Sequence, residues 1–378
     1  MAFSTADEFS NNTKNTEVFK IFGKNVQVVC RDTELAGLLF RELSAYPQGE
    51  NKENVLRIEI LEEQDFDQQA GVFPEENRIH ADNRLARLCF VFDENQLARI
   101  LYAVRKPVNR IHGWLQRWRS LGYNNRQERI GQMFHEQVLV PGLVFQVGVY
   151  PIHSSAIKMG DEVILFGGYG GVGKTSLELE FCYEGGASFV ADDICVLSAK
   201  GTVFPNLNYP KLYAYNVNGK PEIEQRLLGN VSAANRMHWK YQSMKGLAKV
   251  RRRISPGELY EHFERKELPV SWYLILKRDE GSSIVTETLS AEEAAAETVK
   301  ILESEFKLFF ERLKKTNISS DSPFHPAQIT GRWREGLEKA FTRLDCRRIS
   351  IPGDMPHEEF KSKMKEVFKQ RIKRDAEV

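Results

Sequence analysis

Residues 168 to 175 read Gly168-Tyr169-Gly170-Gly171-Val172-Gly173-Lys174-Thr175 and fill the pattern G-x-x-x-x-G-K-[ST]. A run this rich in glycine has little shape of its own, so the segments on either side must hold it. Before it stands Val163-Ile164-Leu165-Phe166, with the length and branching of a buried strand. After it, Ser176 to Tyr183 reads as a helix that stops at Gly185-Gly186. A second short strand, Ser188-Phe189-Val190-Ala191, ends in the paired carboxylates Asp192-Asp193. Strand, glycine turn, helix and acidic strand in that order predict an α/β fold.

These residue types suit a polyphosphate. Glycines let the backbone wrap the phosphates and aim its N–H groups at them, and the helix that follows adds its positive end. Lys174 has the reach for the β- and γ-phosphates, the Thr175 hydroxyl can ligate Mg²⁺, and Ser176 follows in the first helical turn. Asp192 and Asp193 supply what the loop lacks, a metal ligand and a base. The residues alone leave open which aspartate does which.

At 378 residues the chain has room for two domains, or for one large domain with additions. A formal charge of +1 gives no bulk field for nucleic acid or anionic lipid. The opening residues contain no apolar signal core, and the longest apolar stretch, Val138 to Ile152, contains Pro141 and Gln146 and is too short to span a bilayer. Cys30, Cys89, Cys182, Cys195 and Cys346 are scattered without a CxxC, which suits reduced thiols and argues against zinc. A cytoplasmic protein away from membranes is the expectation.

In chain order, a polar leader to about residue 15 reads as disordered. Val26–Cys30 and Val55–Ile60 read as strands, Thr33–Leu43 as a helix, and Leu88–Phe92 with Leu97–Tyr102 as a hairpin about Asp93-Glu94-Asn95. Residues 1–125 thus form a small α/β accessory domain with no legible chemistry. Arg105, Lys106, Arg110, Trp114, Arg117, Trp118, Arg119 and Tyr123 interleave charge with rings, as single-strand binders do. A linker helix with its tryptophans packed inward is the preferred reading, and nucleic acid is not expected as a partner. Arg126–Val138 is a further helix with Ile130, Met133 and Phe134 on one face. His153 precedes a strand hairpin that feeds the glycine turn. Beyond the acidic pair, Ile194–Leu197 and Thr202–Phe204 read as a hairpin, and Asn206 to Tyr215 holds Lys211 and three tyrosines. Asn218 to Gly246 reads as polar and mobile. Arg251-Arg252-Arg253 is either a solvated patch or an anion clamp on nucleotide or acceptor. Val270–Leu276 is a strand, Ala291–Lys315 one long helix, Gly331–Leu344 another, Cys346–Ile351 a last strand and Pro356–Lys373 a tail helix. The catalytic domain is placed at 126–356 and the tail at 357–378.

His153, the loop Gly168–Thr175 and Val190-Ala191-Asp192-Asp193 together resemble the catalytic domain of HPr kinase/phosphorylase, in its order of His-led strand, Walker loop and V-A-D-D. Asp193 falls nineteen positions after Lys174, a gap that suits the HPr kinase and phosphoenolpyruvate carboxykinase type rather than a small GTPase. Glu128 to Ser155 is similar to the entry segment of the wider HPr-kinase-like group, which includes kinases of peptide-tailoring clusters. The resemblance covers roughly 126–352 and is specific over 150–197. It implies an α/β P-loop kinase domain of HPr kinase / PEP carboxykinase type, with ATP and Mg²⁺ as cofactors. It implies that Gly168 to Thr175 bind the phosphates, that Thr175 and Asp193 hold the metal, that Asp192 takes the proton of a seryl hydroxyl, and that His153 stands beside it and the γ-phosphate. The family's signature close to E-x-R-G-x-G is missing between 195 and 260, so an orphan serine kinase is expected rather than HPr kinase itself. The acceptor is then a serine of a peptide or protein. A small-molecule hydroxyl and a nucleotide-gated binding module without transfer are the alternatives, and self-association to a homo-oligomer is compatible with each.

Overall fold

The computed structural model describes residues 15–50, 55–83, 85–105, 117–123, 126–316 and 318–375. The polar leader, and Lys106, Arg110 and Trp114 of the basic-aromatic stretch, lie outside the described residues. The fold is mixed α/β, built on two six-stranded sheets and two smaller ones.

The sheet that carries the glycine-rich loop runs, in spatial order, Ser188–Ala191, Ser154–Met159, Glu162–Gly167, Trp272–Asp279, Asp345–Pro352 and Val285–Thr288. Its middle three strands are parallel, with Phe166 beside Leu274 and Leu274 beside Arg347. Val163 to Gly167 and Trp272 to Leu276 are buried throughout, as expected of parallel strands covered on both faces. The outer pairs are antiparallel. Beside this sheet, Val149–Ile152 pairs antiparallel with Cys195–Ser198, which pairs in turn with Thr202–Phe204 through a turn at Gly201 (φ +75°).

The N-terminal sheet has the order Asn15–Ile21, Lys24–Cys30, Leu56–Leu61, Gln96–Val104, Ala86–Asp93 and Arg78–His80. The expected hairpin is present: Glu94 and Asn95, both at positive φ, join Ala86–Asp93 to Gln96–Val104. Helix Thr33–Leu43 buries Ala36, Leu39 and Leu43. One contiguous apolar core runs from Phe19 and Leu39 through Leu165 and Leu274 to Phe368. Phe90 and Phe92 of the N-terminal sheet meet Phe145, Phe309 and Phe324 in an aromatic seam. Glu42, also from the N-terminal region, forms a buried ion pair with Arg253.

Two segments differ from expectation, and the expected tail helix is present. Residues 218–246 fold as helices Pro221–Leu228 and Ala233–Lys245, the first opened by proline in its first turn and the second capped by Ser232, whose hydroxyl accepts from Asn235 N. The long helix breaks at Phe306 (φ −87°, ψ 9°) into Ala291–Glu305 and Lys307–Leu313. There the Phe306 ring packs on Trp333 at 5.5 Å, so core contact takes precedence over helical continuity. The tail helix His357–Asp375 docks through Phe360, Met364 and Phe368, all buried, and Phe368 meets Phe166, Phe181 and Trp272. Among the described residues no helix is long and apolar enough to cross a membrane.

Candidate functional site

Strand register assembles the site. Ala191 lies opposite Ala156, so the next residue outward, Asp192, faces Ser155, whose hydroxyl donates to it at 2.9 Å. Cys195 lies opposite Ile152, which brings His153 to the segment just before Cys195. His153 Nε2 is 3.5 Å from Asp193 Oδ1, and its Nδ1 is 3.4 Å from Glu305 Oε2. Asp192 and Asp193 therefore diverge from one point, and the φ of +70° at Asp193 turns it out of the strand direction.

The glycine-rich loop leaves the carboxyl end of Glu162–Gly167 and enters helix Lys174–Leu179, which continues as a π-helical turn through Glu184. Gly168, Gly171 and Gly173 have φ of +139°, +81° and +111°, conformations that disfavour a side chain. A Cβ on Gly168 would stand 2.5 Å from Leu276 O, so the loop rests directly on the central strand. Tyr169, Gly170 and Gly171 are exposed and Val172 is buried. The Lys174 ammonium is buried and donates to the carbonyls of Gly168 and Tyr169 at 2.8 and 2.9 Å. The Thr175 hydroxyl donates to Asp192 Oδ1 at 2.9 Å. Ser176, buried, accepts from Asn216 Nδ2 at 3.1 Å.

The two aspartates have opposite electrostatics. Burial pushes Asp192 above the usual carboxylate range, the charge of Asp193 adds to that, and the bonds from Ser155 and Thr175 oppose it. The Lys211 ammonium, 3.1 Å away, holds Asp193 well below that range, with His153 helping. Burial works against the charge on Lys211, but Asp193 and Glu136, the latter at 2.6 Å, outweigh it and hold the ammonium above its ordinary value. Burial depresses Lys174. On the buried face of the loop helix, burial holds Glu178 well above its ordinary value, and it accepts from the Tyr260 hydroxyl.

The structure thus gathers His153, Lys174, Thr175, Asp192 and Asp193 at one place. It sends most of the arginine triplet elsewhere. Residues Arg251–Arg253 form a strand against Lys211–Tyr213. Arg252, 1 % exposed, bonds to Asn235 and the His238 ring and lies over Trp239. Arg253 is held by Glu42 and Asn208. These two are neither a solvated patch nor turned toward the loop. Arg251 is half-buried and donates to the Tyr213 hydroxyl at 3.1 Å. Trp118 of the basic-aromatic stretch packs on Tyr123 and His238. Lys211, Glu136 and Glu305 are members of the site that no motif announces. Lys211 carried a signal, a lone lysine among tyrosines after a proline.

No protein-family model matches the chain, and no curated protein does. Among solved structures the chain is similar to the Hpr(Ser) kinase/phosphatase from Coxiella burnetii, with 13% sequence identity and a TM-score of 0.23, over 44% of this chain and 97% of that one.

Proposed function

We propose that the chain is an ATP-dependent phosphotransferase that moves the γ-phosphoryl group to a hydroxyl, with serine of a peptide or protein as the acceptor class. The observation that carries this reading is the 2.9 Å bond from Thr175 to Asp192, which sets the lysine-bearing end of the glycine-rich loop against the acidic pair. A small-molecule hydroxyl would be served by the same residues. Phosphoryl transfer demands positioning and charge neutralisation more than covalent chemistry, and these groups are suited to both.

The donor set fits Mg²⁺. Thr175 and the two aspartates offer hard oxygen ligands, and Mg²⁺ needs only one or two carboxylates beside water and phosphate oxygens. Among the described residues no group of three or more His, Cys, Asp and Glu side chains is placed to form an all-protein cage. When bound, the ion would neutralise charge on the β- and γ-oxygens. Thr175 and one aspartate would hold it, and the other aspartate would accept the proton of the acceptor hydroxyl.

Two divisions of labour are supported by different observations. The upward push on Asp192 suits a base, which leaves the metal to Asp193, as the resemblance implies. The bond between Thr175 and Asp192 suits the reverse, with Asp193, beside His153 and Lys211, facing the acceptor. Calorimetry with MgATP and a γ-phosphate turnover assay on Asp192→Asn and Asp193→Asn separate them. The variant that lacks the base should keep MgATP affinity and lose turnover by roughly a hundredfold or more. The variant that lacks the metal ligand should lose Mg²⁺-dependent binding. Wild-type turnover in both variants, or full turnover in excess chelator, would overturn the proposal. MgATP binding with no turnover on any hydroxyl would favour the nucleotide-gated binding module.

A further inference from the structure

Phosphates account for only part of a nucleotide, and the ribose and base must leave the loop away from the acidic pair. Strand Lys211–Tyr213 leads from Asp193 toward the residues beside the loop helix. Lys211 is at Asp193, and strand geometry sets Tyr213 about 6.6 Å further along, on the same face. The chain then turns into Ala214–Val217, whose Asn216 is bonded to Ser176, the residue after the loop's threonine. The tail helix also reaches the loop. The Phe360 ring fills the space beside Gly173, where a Cβ would stand 2.6 Å from its Cε1.

Between these two elements lies an aromatic ledge. Tyr215 stacks on Tyr213 with ring centres 5.3 Å apart and planes 9° from parallel. His357 meets Tyr215 edge-on at 6.1 Å and lies 6.4 Å from Phe360. Tyr215 is 39% exposed, yet its ring is held by neighbours from two separate elements. A tyrosine with only a solubilising role has no need of such support. A ring fixed in orientation and still open to solvent is a stacking platform that costs little entropy on binding.

We propose that Tyr215, steadied by Tyr213 and His357, is the stacking site for the base of a nucleoside triphosphate whose phosphates lie in the glycine-rich loop. This rests on the reading of the loop given above. The ledge binds through the π-face of the base, and the loop binds through charge, so the two contributions can be measured apart. Inorganic triphosphate carries the charge without the base. Titration calorimetry of the full chain with the Mg²⁺ complexes of ATP and of inorganic triphosphate should show tighter binding of ATP. Tyr215→Ala should weaken MgATP roughly tenfold and leave triphosphate unchanged, while Tyr215→Phe, which keeps the ring, should bind both like wild type. Equal wild-type affinity for the two ligands would overturn the ledge and leave the loop standing, and this comparison needs no variant to fold. Equal weakening of both ligands by Tyr215→Ala would overturn it as well. Binding of neither ligand by the wild-type chain would remove the loop reading itself.

Discussion

The described residues include two strand–turn–helix units of similar construction, and only one of these two carries the glycine-rich loop. In the N-terminal sheet, strand Lys24–Cys30 pairs antiparallel with Asn15–Ile21 and parallel with Leu56–Leu61, then leads into helix Thr33–Leu43. In the other sheet, strand Glu162–Gly167 pairs antiparallel with Ser154–Met159 and parallel with Trp272–Asp279, then leads into helix Lys174–Leu179. The difference is at the cap. Asp32 closes the first helix from within, its carboxylate accepting from Leu35 N at 2.9 Å, and Glu34 adds negative charge in the first turn. Gly173 caps the second in the left-handed region and makes no side-chain cap bond. A helix start needs acceptors for its first N–H groups. One unit draws an acceptor from its own sequence, and the other, on the reading proposed here, takes it from a phosphate chain. On that reading the same framework would be silent or functional according to where the cap acceptor comes from.

The largest expected effect that tests this contrast is on binding. Lys174→Ala removes the cation beside the open cap and should lower MgATP affinity by roughly tenfold to a hundredfold in calorimetry, in line with charge-assisted hydrogen bonds. An unchanged affinity in a folded variant would mean the open cap is no anion site, and the contrast would lose its meaning. Gly173→Ala comes next. The new methyl would stand 2.6 Å from Phe360 Cε1, and φ at this position is +111°. Thermal unfolding should show a loss of about 1–3 kcal/mol, together with weaker MgATP binding. A neutral result would show that the loop's backbone is not held to this shape.

Features set by local sequence were legible, and those set by register were not. Helix Thr33–Leu43, strand Ser188–Ala191 and the strand–loop–helix–strand run were readable because each is specified by its own residues. The approach of Lys211 to Asp193, of Ser155 to Asp192 and of Glu305 to His153 depends on how distant strands and helices pair, which no local pattern records. Arg252 and Asn218–Gly246 depart from the sequence expectation for one shared reason. Asn235 and His238 make that stretch look polar and loose, yet they point inward because the buried Arg252 guanidinium needs acceptors. Polar composition there marks a buried ion's surroundings rather than a solvated loop. The tail helix carried its signal in plain view: Phe360, Met364 and Phe368 recur at every fourth position, the spacing of a buried helix face.

The smallest effect is on the silent unit, and it isolates the cap from everything else. Asp32 is exposed, and its bond to Leu35 N is made within one turn. Asp32→Ala removes one acceptor from a helix start and leaves the helix's buried face of Ala36, Leu39 and Leu43 in place. The cost should be about 1 kcal/mol of unfolding free energy, and Asp32→Asn, which keeps an acceptor oxygen, should recover most of it. MgATP affinity should not change in either variant, because this helix is capped by its own chain. If Asp32→Ala weakened nucleotide binding as well as stability, the two units would be coupled, and the division between a silent and an equipped turn would not hold. If it altered neither, the Asp32 bond would contribute nothing to the helix, and the contrast would rest on the glycine-rich loop alone.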